Sequence, residues 1–120
     1  MKKLTKKEDQ IMQVVWRLKA AFIRDIIAEL PDPKPHYNTV ATVVKILVKK
    51  GFLQSTLLGN THQYSPAVEF EQYRDQDIED IKQKYFGNSL SKMLTHFAKS
   101  EDLSEDEMED ILRLIKSDKE

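Results

Sequence analysis

The segment from His36 to Pro66 changes its pattern of apolar and polar positions halfway along. From Val40 to Leu47 the apolar residues recur at intervals of three and four, which predicts one buried face of a helix. The opposite face of that helix carries small polar residues first and lysines later: Asn38, Thr42, Lys45 and Lys49. Gly51 follows two lysines and suits a helix C-terminus. Packing must hold this helix, because its β-branched valines are mediocre helix formers.

A short β-hairpin is predicted directly after this helix. Phe52–Leu57 can form one strand and His62–Ser65 the other, with a turn over residues 58–61 in which Gly-Asn tolerates a positive φ. Pro66 cannot continue a central strand, so the hairpin ends there. A helix, a glycine and a hairpin within about thirty residues are typical of a recognition helix followed by a wing.

Two further helices are predicted before this segment. The run Thr5–Glu8 has the residues of a capping box and is followed by Ile11, Val15 and Leu18 at helical spacing. A second helix covers Phe22–Leu30 and ends at the prolines of residues 31–35. Two helices joined by a stiff turn, the later one with a polar outer face, form a helix-turn-helix. In such a unit small polar residues can reach base edges in the major groove, while lysines contact phosphates.

The charge of the chain is divided between its two halves. The whole chain has 19 Lys and Arg against 20 Asp and Glu, which alone would not indicate a nucleic-acid partner. Residues 1–65 contain 11 basic and 5 acidic residues, a net charge of +6, whereas residues 66–120 contain 8 and 15, a net charge of −7. Such asymmetry predicts a basic contact surface joined to an acidic partner element.

The acidic half is predicted to be helical throughout, with a helix over about residues 68–86, a break at Gly87–Asn88 and two further helices. We therefore predict a winged helix-turn-helix domain over residues 1–66 and a helical dimerisation domain over residues 67–120. About fifty residues bury too little surface alone, and a two-fold symmetric dimer can cover the apolar stripes. The alternative is that this half folds back onto the N-terminal domain. The predicted dimerisation residues are Phe70, Tyr73, Ile78, Ile81, Tyr85, Leu90, Leu94, Phe97, Met108, Ile111, Leu112 and Ile115.

Several classes of function are disfavoured by the composition. The absence of cysteine excludes disulfides and thiolate metal sites. No apolar run exceeds four residues and the N-terminus lacks a signal-peptide core, so we expect a cytoplasmic protein without membrane insertion. The histidines His36, His62 and His96 have no metal-ligand spacing, and the carboxylate clusters fit solvated helix faces. We expect no enzyme activity and no cofactor.

Four segments together give the chain a family resemblance: LTKKEDQIMQVVW, YNTVATVVKILVKKGFL, HQYSP and FAKSEDLSEDEMEDI. From Leu4 to about Ile115 the chain resembles the penicillinase-repressor family of winged-helix transcriptional repressors. The resemblance implies that the protein binds a dyad-symmetric operator as a dimer held by its C-terminal helices. It also implies that Asn38, Thr39 and Thr42 read bases, with Lys45 and Lys49 near phosphates.

The resemblance also implies a route of induction, and the sequence departs from it. In members that control β-lactamase genes, a membrane sensor-protease signal leads to cleavage just before a Phe that follows Asn. Here the corresponding candidate cleavage site is His96–Phe97. The cysteines of the copper-responsive branch of the family are absent. The wing carries no Lys or Arg, so we expect it to bind DNA phosphates weakly. His62 either contributes to phosphate binding or has a structural role.

The sequence thus predicts a mainly α fold with a small β-hairpin. It also predicts a homodimeric transcriptional repressor that binds double-stranded DNA, and the resemblance implies a role in antibiotic resistance. The alternative is a winged helix that serves as a protein-interaction module without sequence-specific DNA binding.

Overall fold

The structure, a computed structural model, describes residues 2–118 of the chain, with side chains described up to residue 114. Over these residues the chain forms α-helices and one antiparallel hairpin, which confirms the predicted fold class. The elements are α1 (Lys6–Leu18), α2 (Ile23–Glu29), α3 (Tyr37–Lys49), β1 (Leu53–Leu58), β2 (Thr61–Pro66), α4 (Phe70–Phe86), α5 (Leu90–Ser100) and α6 (Glu105–Asp118). Two compact units are present, Met1–Tyr73 and Arg74–Glu120.

The N-terminus of α1 has the predicted capping box. The Thr5 hydroxyl accepts the Glu8 amide at 3.2 Å, and the Glu8 carboxylate accepts the Thr5 amide at 2.8 Å. Helix α2 begins in a related way, since the Asp25 carboxylate accepts the Phe22 amide at 3.0 Å. These bonds satisfy amide groups that have no partner inside a helix, so they fix where each helix begins.

Helix α3 ends as predicted, at a glycine. Gly51 has a φ of +85°, and its amide donates to the Val48 carbonyl at 3.1 Å. The Phe52 amide donates to the Leu47 carbonyl at 2.9 Å, which completes a Schellman motif. Phe52 is 1% exposed, so this motif directs the chain from the recognition helix straight into the core.

The hairpin has a tighter turn than the sequence indicated, and its first strand begins at Leu53 and not at the predicted Phe52, whose amide bonds to the end of α3. Leu58 pairs with Thr61, so only Gly59 and Asn60 form the turn, and the positive φ falls on Gly59 (+62°). A two-residue turn with glycine first matches the strand twist, which is why both strands gain a residue at the tip. Ala21 adds a bridge on the other edge of β2, where its amide donates to the Tyr64 carbonyl at 2.9 Å.

One hydrophobic core holds the first unit together. Its most buried members come from α1, α2, α3 and the residues that lead into the hairpin. At 2% exposure or less they are Met12, Val15, Ala21, Ile26, Val40, Val44, Leu47, Phe52 and Leu53. Leu18, expected on the apolar stripe of the first helix, is instead 37% exposed because that helix ends there and Lys19 takes a positive φ.

The second unit contains most of α4 together with α5 and α6. The break at Gly87–Asn88 is confirmed, with φ values of +56° and +62°. Ser89 caps α5 by accepting the Lys92 amide at 3.1 Å, and Ser104 accepts the Glu107 amide at 3.2 Å at the start of α6. Met93 is the buried hydrophobic residue of this unit among the described side chains. Across the part of the chain that the structure describes, every helix is too short or too polar to span a bilayer.

Candidate nucleic-acid interface

The polar face predicted for the third helix lies on the outside of the first unit. Val40, Val44 and Leu47 are at most 2% exposed and fasten α3 to the core. The residues predicted to contact DNA are all exposed along the opposite side: Asn38, Thr39, Thr42, Lys45 and Lys49. A helix buried on one side and polar on the other can enter a groove about 12 Å wide without unfolding.

Thr42 has its hydroxyl proton already engaged. Its Oγ1 donates to the Asn38 carbonyl at 2.8 Å, one turn back along α3. The oxygen can therefore accept a hydrogen bond from a base, and the methyl group can contact a thymine methyl. The bond also fixes the rotamer of Thr42, so a base would meet a side chain already in place.

A buried ion pair anchors the C-terminal end of α3 to α1. The Lys50 ammonium lies 2.8 and 2.9 Å from the two carboxylate oxygens of Glu8, whose side chain is 5% exposed. Burial alone would raise the pKa of Glu8, but the bonds from Lys50 and Thr5 outweigh it and lower the pKa below its usual value of 4.5. Lys50 is thus occupied within the fold, whereas Lys45 and Lys49 point outward.

The wing has no permanently charged side chain. Residues 51–68 contain no Lys, Arg, Asp or Glu. The His62 Nδ1 lies 2.8 Å from the Ser55 hydroxyl across the hairpin, and its ring centroid lies 6.5 Å from that of Tyr64. The His62 ring is thus held against Ser55 and Tyr64 on an exposed part of the hairpin. At the tip, Leu57 and Leu58 are 60% and 47% exposed.

The sequence interpretation missed three exposed residues near the reading face. Tyr37 is the first residue of α3 and is 50% exposed, and Ile46 is 41% exposed beside Lys45. Arg24 is exposed in the first turn of α2. Tyr37 and Ile46 are apolar in most of their surface, so a search for polar positions on a helix passes over them. Arg24 lies on α2, and only folding brings it to the same surface as the start of α3.

The residues predicted for dimerisation fall into two groups. Phe70 and Tyr73 pack in the first unit, where their rings lie 5.5 and 5.7 Å from that of Trp16. Trp16 also donates from Nε1 to the Val68 carbonyl at 2.9 Å, and the Tyr73 hydroxyl accepts the Leu4 amide at 3.0 Å. These bonds attach the start of α4 to the winged helix.

The other predicted dimerisation residues lie in the second unit. Five of them are between 38% and 65% exposed in the single chain: Ile78, Tyr85, Leu90, Phe97 and Leu112. Four are half-buried: Ile81, Leu94, Met108 and Ile111. The side chain of Ile115 lies outside the described residues. The second unit thus exposes several large apolar side chains.

The candidate cleavage site lies inside a helix. His96 and Phe97 are in the second half of α5, and both rings contact Phe86, with centroids 5.5 and 6.2 Å away. The peptide bond between them belongs to hydrogen-bonded backbone, so a protease would reach it only after α5 opens locally. Among the described residues, no His, Asp and Glu side chains form a group of three that could hold a metal ion.

A three-helix core, a polar outer face on the third helix and a hairpin directly after it define a winged-helix DNA-binding unit. Residues 4–117 match the family described as "Penicillinase repressor", and the chain belongs to that family. Its members are transcriptional repressors, so the protein is a DNA-binding regulator and not an enzyme.

Individual relatives extend over most of the chain. The methicillin resistance regulatory protein MecI of Staphylococcus aureus (strain N315) is 27% identical over 109 residues, which cover 90% of this chain and 89% of the relative. The penicillinase repressor of Bacillus licheniformis is 24% identical over 123 residues, covering 99% and 96%. The penicillinase repressor of Staphylococcus aureus is 22% identical over 109 residues, covering 90% and 86%.

Proposed function

We propose that this protein is a homodimeric repressor that reads a dyad-symmetric operator with α3 and blocks transcription from it. The observation that carries the proposal is the outer face of α3, where the residues suited to bases and those suited to phosphates are exposed together. Asn38, Thr39 and Thr42 near the helix start contact base edges, and Lys45 and Lys49 contact phosphates on either side of the groove.

Dimerisation places two such helices on one face of the duplex. Two recognition helices related by a two-fold axis reach half-sites about one helical turn apart. The exposed apolar residues of the second unit supply the dimer contact, because the same patch on a second copy can cover them.

The regulated genes are those of β-lactam resistance or a related response. The similarity to MecI, a methicillin resistance regulatory protein, and to the penicillinase repressors supports this assignment. Repression is relieved by an inducing signal, and a membrane sensor-protease pathway acting at His96–Phe97 is the proposed route. Mass spectrometry of the protein from cells that contain a sensor-protease and receive a β-lactam tests this route, and a chain that stays intact would contradict it.

DNA recognition is tested by selecting duplexes from a random library and titrating the most enriched duplex. The Lys45→Gln variant should bind with a less steep dependence of log K on log salt, by about 0.9 for each phosphate that it no longer neutralises. The Thr42→Ala variant should discriminate less well among bases, by about 0.5–1.5 kcal/mol at one position of each half-site, because it loses one neutral hydrogen bond. Lys99→Gln in α5 is the matched control and should leave both quantities unchanged.

A failure to enrich any sequence would refute the proposal and favour the protein-interaction module. The same conclusion would follow if Lys45→Gln and Thr42→Ala bound DNA as the wild type does.

The dimer is tested by sedimentation of two α4 variants that each add one carboxylate. Ile78 is 45% exposed, and Ile78→Glu should shift the protein to monomer because a charge would be buried at the contact. Gln83→Glu, at an exposed polar position of the same helix, should stay dimeric. A wild-type protein that sediments as a monomer at micromolar concentration would contradict the proposal.

A further inference from the structure

An open basin lies between the start of α3 and the tip of the hairpin. It has a volume of about 560 Å³, within the range of about 300–1,000 Å³ that is usual for ligand sites. It is lined by Tyr37, the first residue of α3, and by Leu58 and Thr61, which flank the hairpin turn. Phe22 and Arg24, at the start of α2, line it as well.

From this placement we infer that the basin binds one sugar–phosphate strand of the duplex, with Arg24 contacting a phosphate and Tyr37 donating a hydrogen bond to it. The inference rests on the proposed function and identifies a backbone contact outside α3. A helix in the major groove and a wing tip beside the adjacent minor groove are separated by one DNA strand. That strand must cross the space between the two elements, which is where the basin lies.

The charges around the basin favour an anion at Arg24. Among the residues that line it, Arg24 carries the positive charge and Asp25 the negative one. The Asp25 carboxylate is turned to the backbone, where it accepts the Phe22 amide at 3.0 Å. No ion pair is found for Arg24 among the described residues, in contrast to Arg17, whose guanidinium lies 3.1 Å from the Glu29 carboxylate. A planar guanidinium with several donors suits a phosphate particularly well.

Because the wing has no basic side chain, the basin has to provide part of the affinity for DNA. Since residues 51–68 contain no Lys or Arg, the wing tip contributes mainly surface contact. Leu58 and Thr61 can cover a deoxyribose, and the neutralising charge then comes from the opposite side of the strand. Arg24 thus supplies the phosphate contact that a basic wing would supply.

The test compares Arg24→Gln with the matched control Arg17→Gln on a duplex selected by the wild type. In Arg24→Gln the log K against log salt slope should become less steep by about 0.9 per protomer, and affinity should fall about tenfold per protomer. The preferred sequence should not change, because a phosphate contact carries no base information. Tyr37→Phe should weaken binding several-fold without changing the slope, since the hydroxyl that it removes is neutral. Arg17→Gln should match the wild type.

Ethylation interference locates the contact. One phosphate in each half-site should weaken wild-type binding when ethylated and have no further effect on Arg24→Gln. If the wild type binds its duplex but Arg24→Gln keeps both the slope and the interference pattern, the basin does not bind DNA and the proposed function stands. If the wild type binds no duplex in a salt-dependent way, the proposed function fails and the basin assignment fails with it.

Discussion

Replacing Glu8 by Gln should destabilise the winged helix by about 1–3 kcal/mol, the range for removing a hydrogen bond to a charged group in a buried site. The variant retains an oxygen that can accept the Thr5 amide, so the cap of α1 persists. It removes the charge that faces the Lys50 ammonium at 2.8 and 2.9 Å. Breaking a fully buried pair costs about 3–5 kcal/mol, but Lys50 is 24% exposed and can regain water. The partial exposure of Lys50 is the reason why we expect about 1–3 kcal/mol for Glu8→Gln and not the larger cost.

The effect of Glu8→Gln should depend on pH in one direction. Because the pKa of Glu8 is lowered in the folded protein, folding disfavours its protonation relative to the unfolded chain. The stabilisation is complete above the usual value of 4.5 and is lost as the pH falls through the folded value below it. The difference in unfolding free energy between wild type and variant should therefore be constant near pH 7 and shrink below pH 4.5.

Urea unfolding followed by the fluorescence of Trp16 measures this difference, because the chain's single Trp lies in the unit that contains Glu8. A destabilisation of about 2 kcal/mol would lower the midpoint by about 1 M or more. Lys50→Met and the double variant complete a thermodynamic cycle. A coupling energy below about 0.5 kcal/mol, or a difference that stays the same from about pH 7 to about pH 3.5, would refute the reasoning.

Two other substitutions separate local contributions to stability. Tyr73→Phe keeps the ring beside Trp16 but lacks the oxygen that accepts the Leu4 amide at 3.0 Å, so thermal unfolding should show a destabilisation of about 0.5–1.5 kcal/mol; an unchanged melting temperature would contradict this role. Gly59→Ala places a Cβ in open space but at a φ of +62°, so urea unfolding should show a destabilisation of about 1–2 kcal/mol from backbone strain alone. Asn60→Ala, at the neighbouring turn position, is its control, and equal effects in the two variants would argue against strain at Gly59.

Local rules account for most of what the sequence predicted correctly. The capping box at Thr5, the helix stop at Gly51 and the break at Gly87 each depend on a few neighbouring residues, and the structure has all three. The buried stripe of α3 follows from periodicity, and Val40, Val44 and Leu47 are buried as predicted.

What the sequence did not predict depends on contacts between distant residues. Ala21 bridges Tyr64 across more than forty residues, and nothing in the pattern around Ala21 resembles a strand. The sequence indicates Glu8 as a capping residue of the first helix, but its ion pair with Lys50, 42 residues later in the chain, follows only from the folded structure. The basin at Arg24 and Tyr37 likewise depends on three elements, since its lining residues come from the start of α2, the start of α3 and the tip of the hairpin.

In this structure the residues that hold α3 in place differ from the residues that are exposed for DNA contact, so stability and DNA affinity should respond to different substitutions. A destabilised protein binds with an affinity reduced only by the fraction that remains folded. If the unit is stable by about 5 kcal/mol, a destabilisation of about 2 kcal/mol at Glu8 still leaves about 99% folded, so the dissociation constant should hardly change. Lys45 and Arg24 are exposed, so replacing them should change the dissociation constant and leave the unfolding midpoint in place. A Glu8→Gln variant that keeps its fold at low temperature but binds DNA weakly would mean that the Lys50 pair also sets the angle of α3. In that case stability and recognition would be coupled through the C-terminal end of the helix.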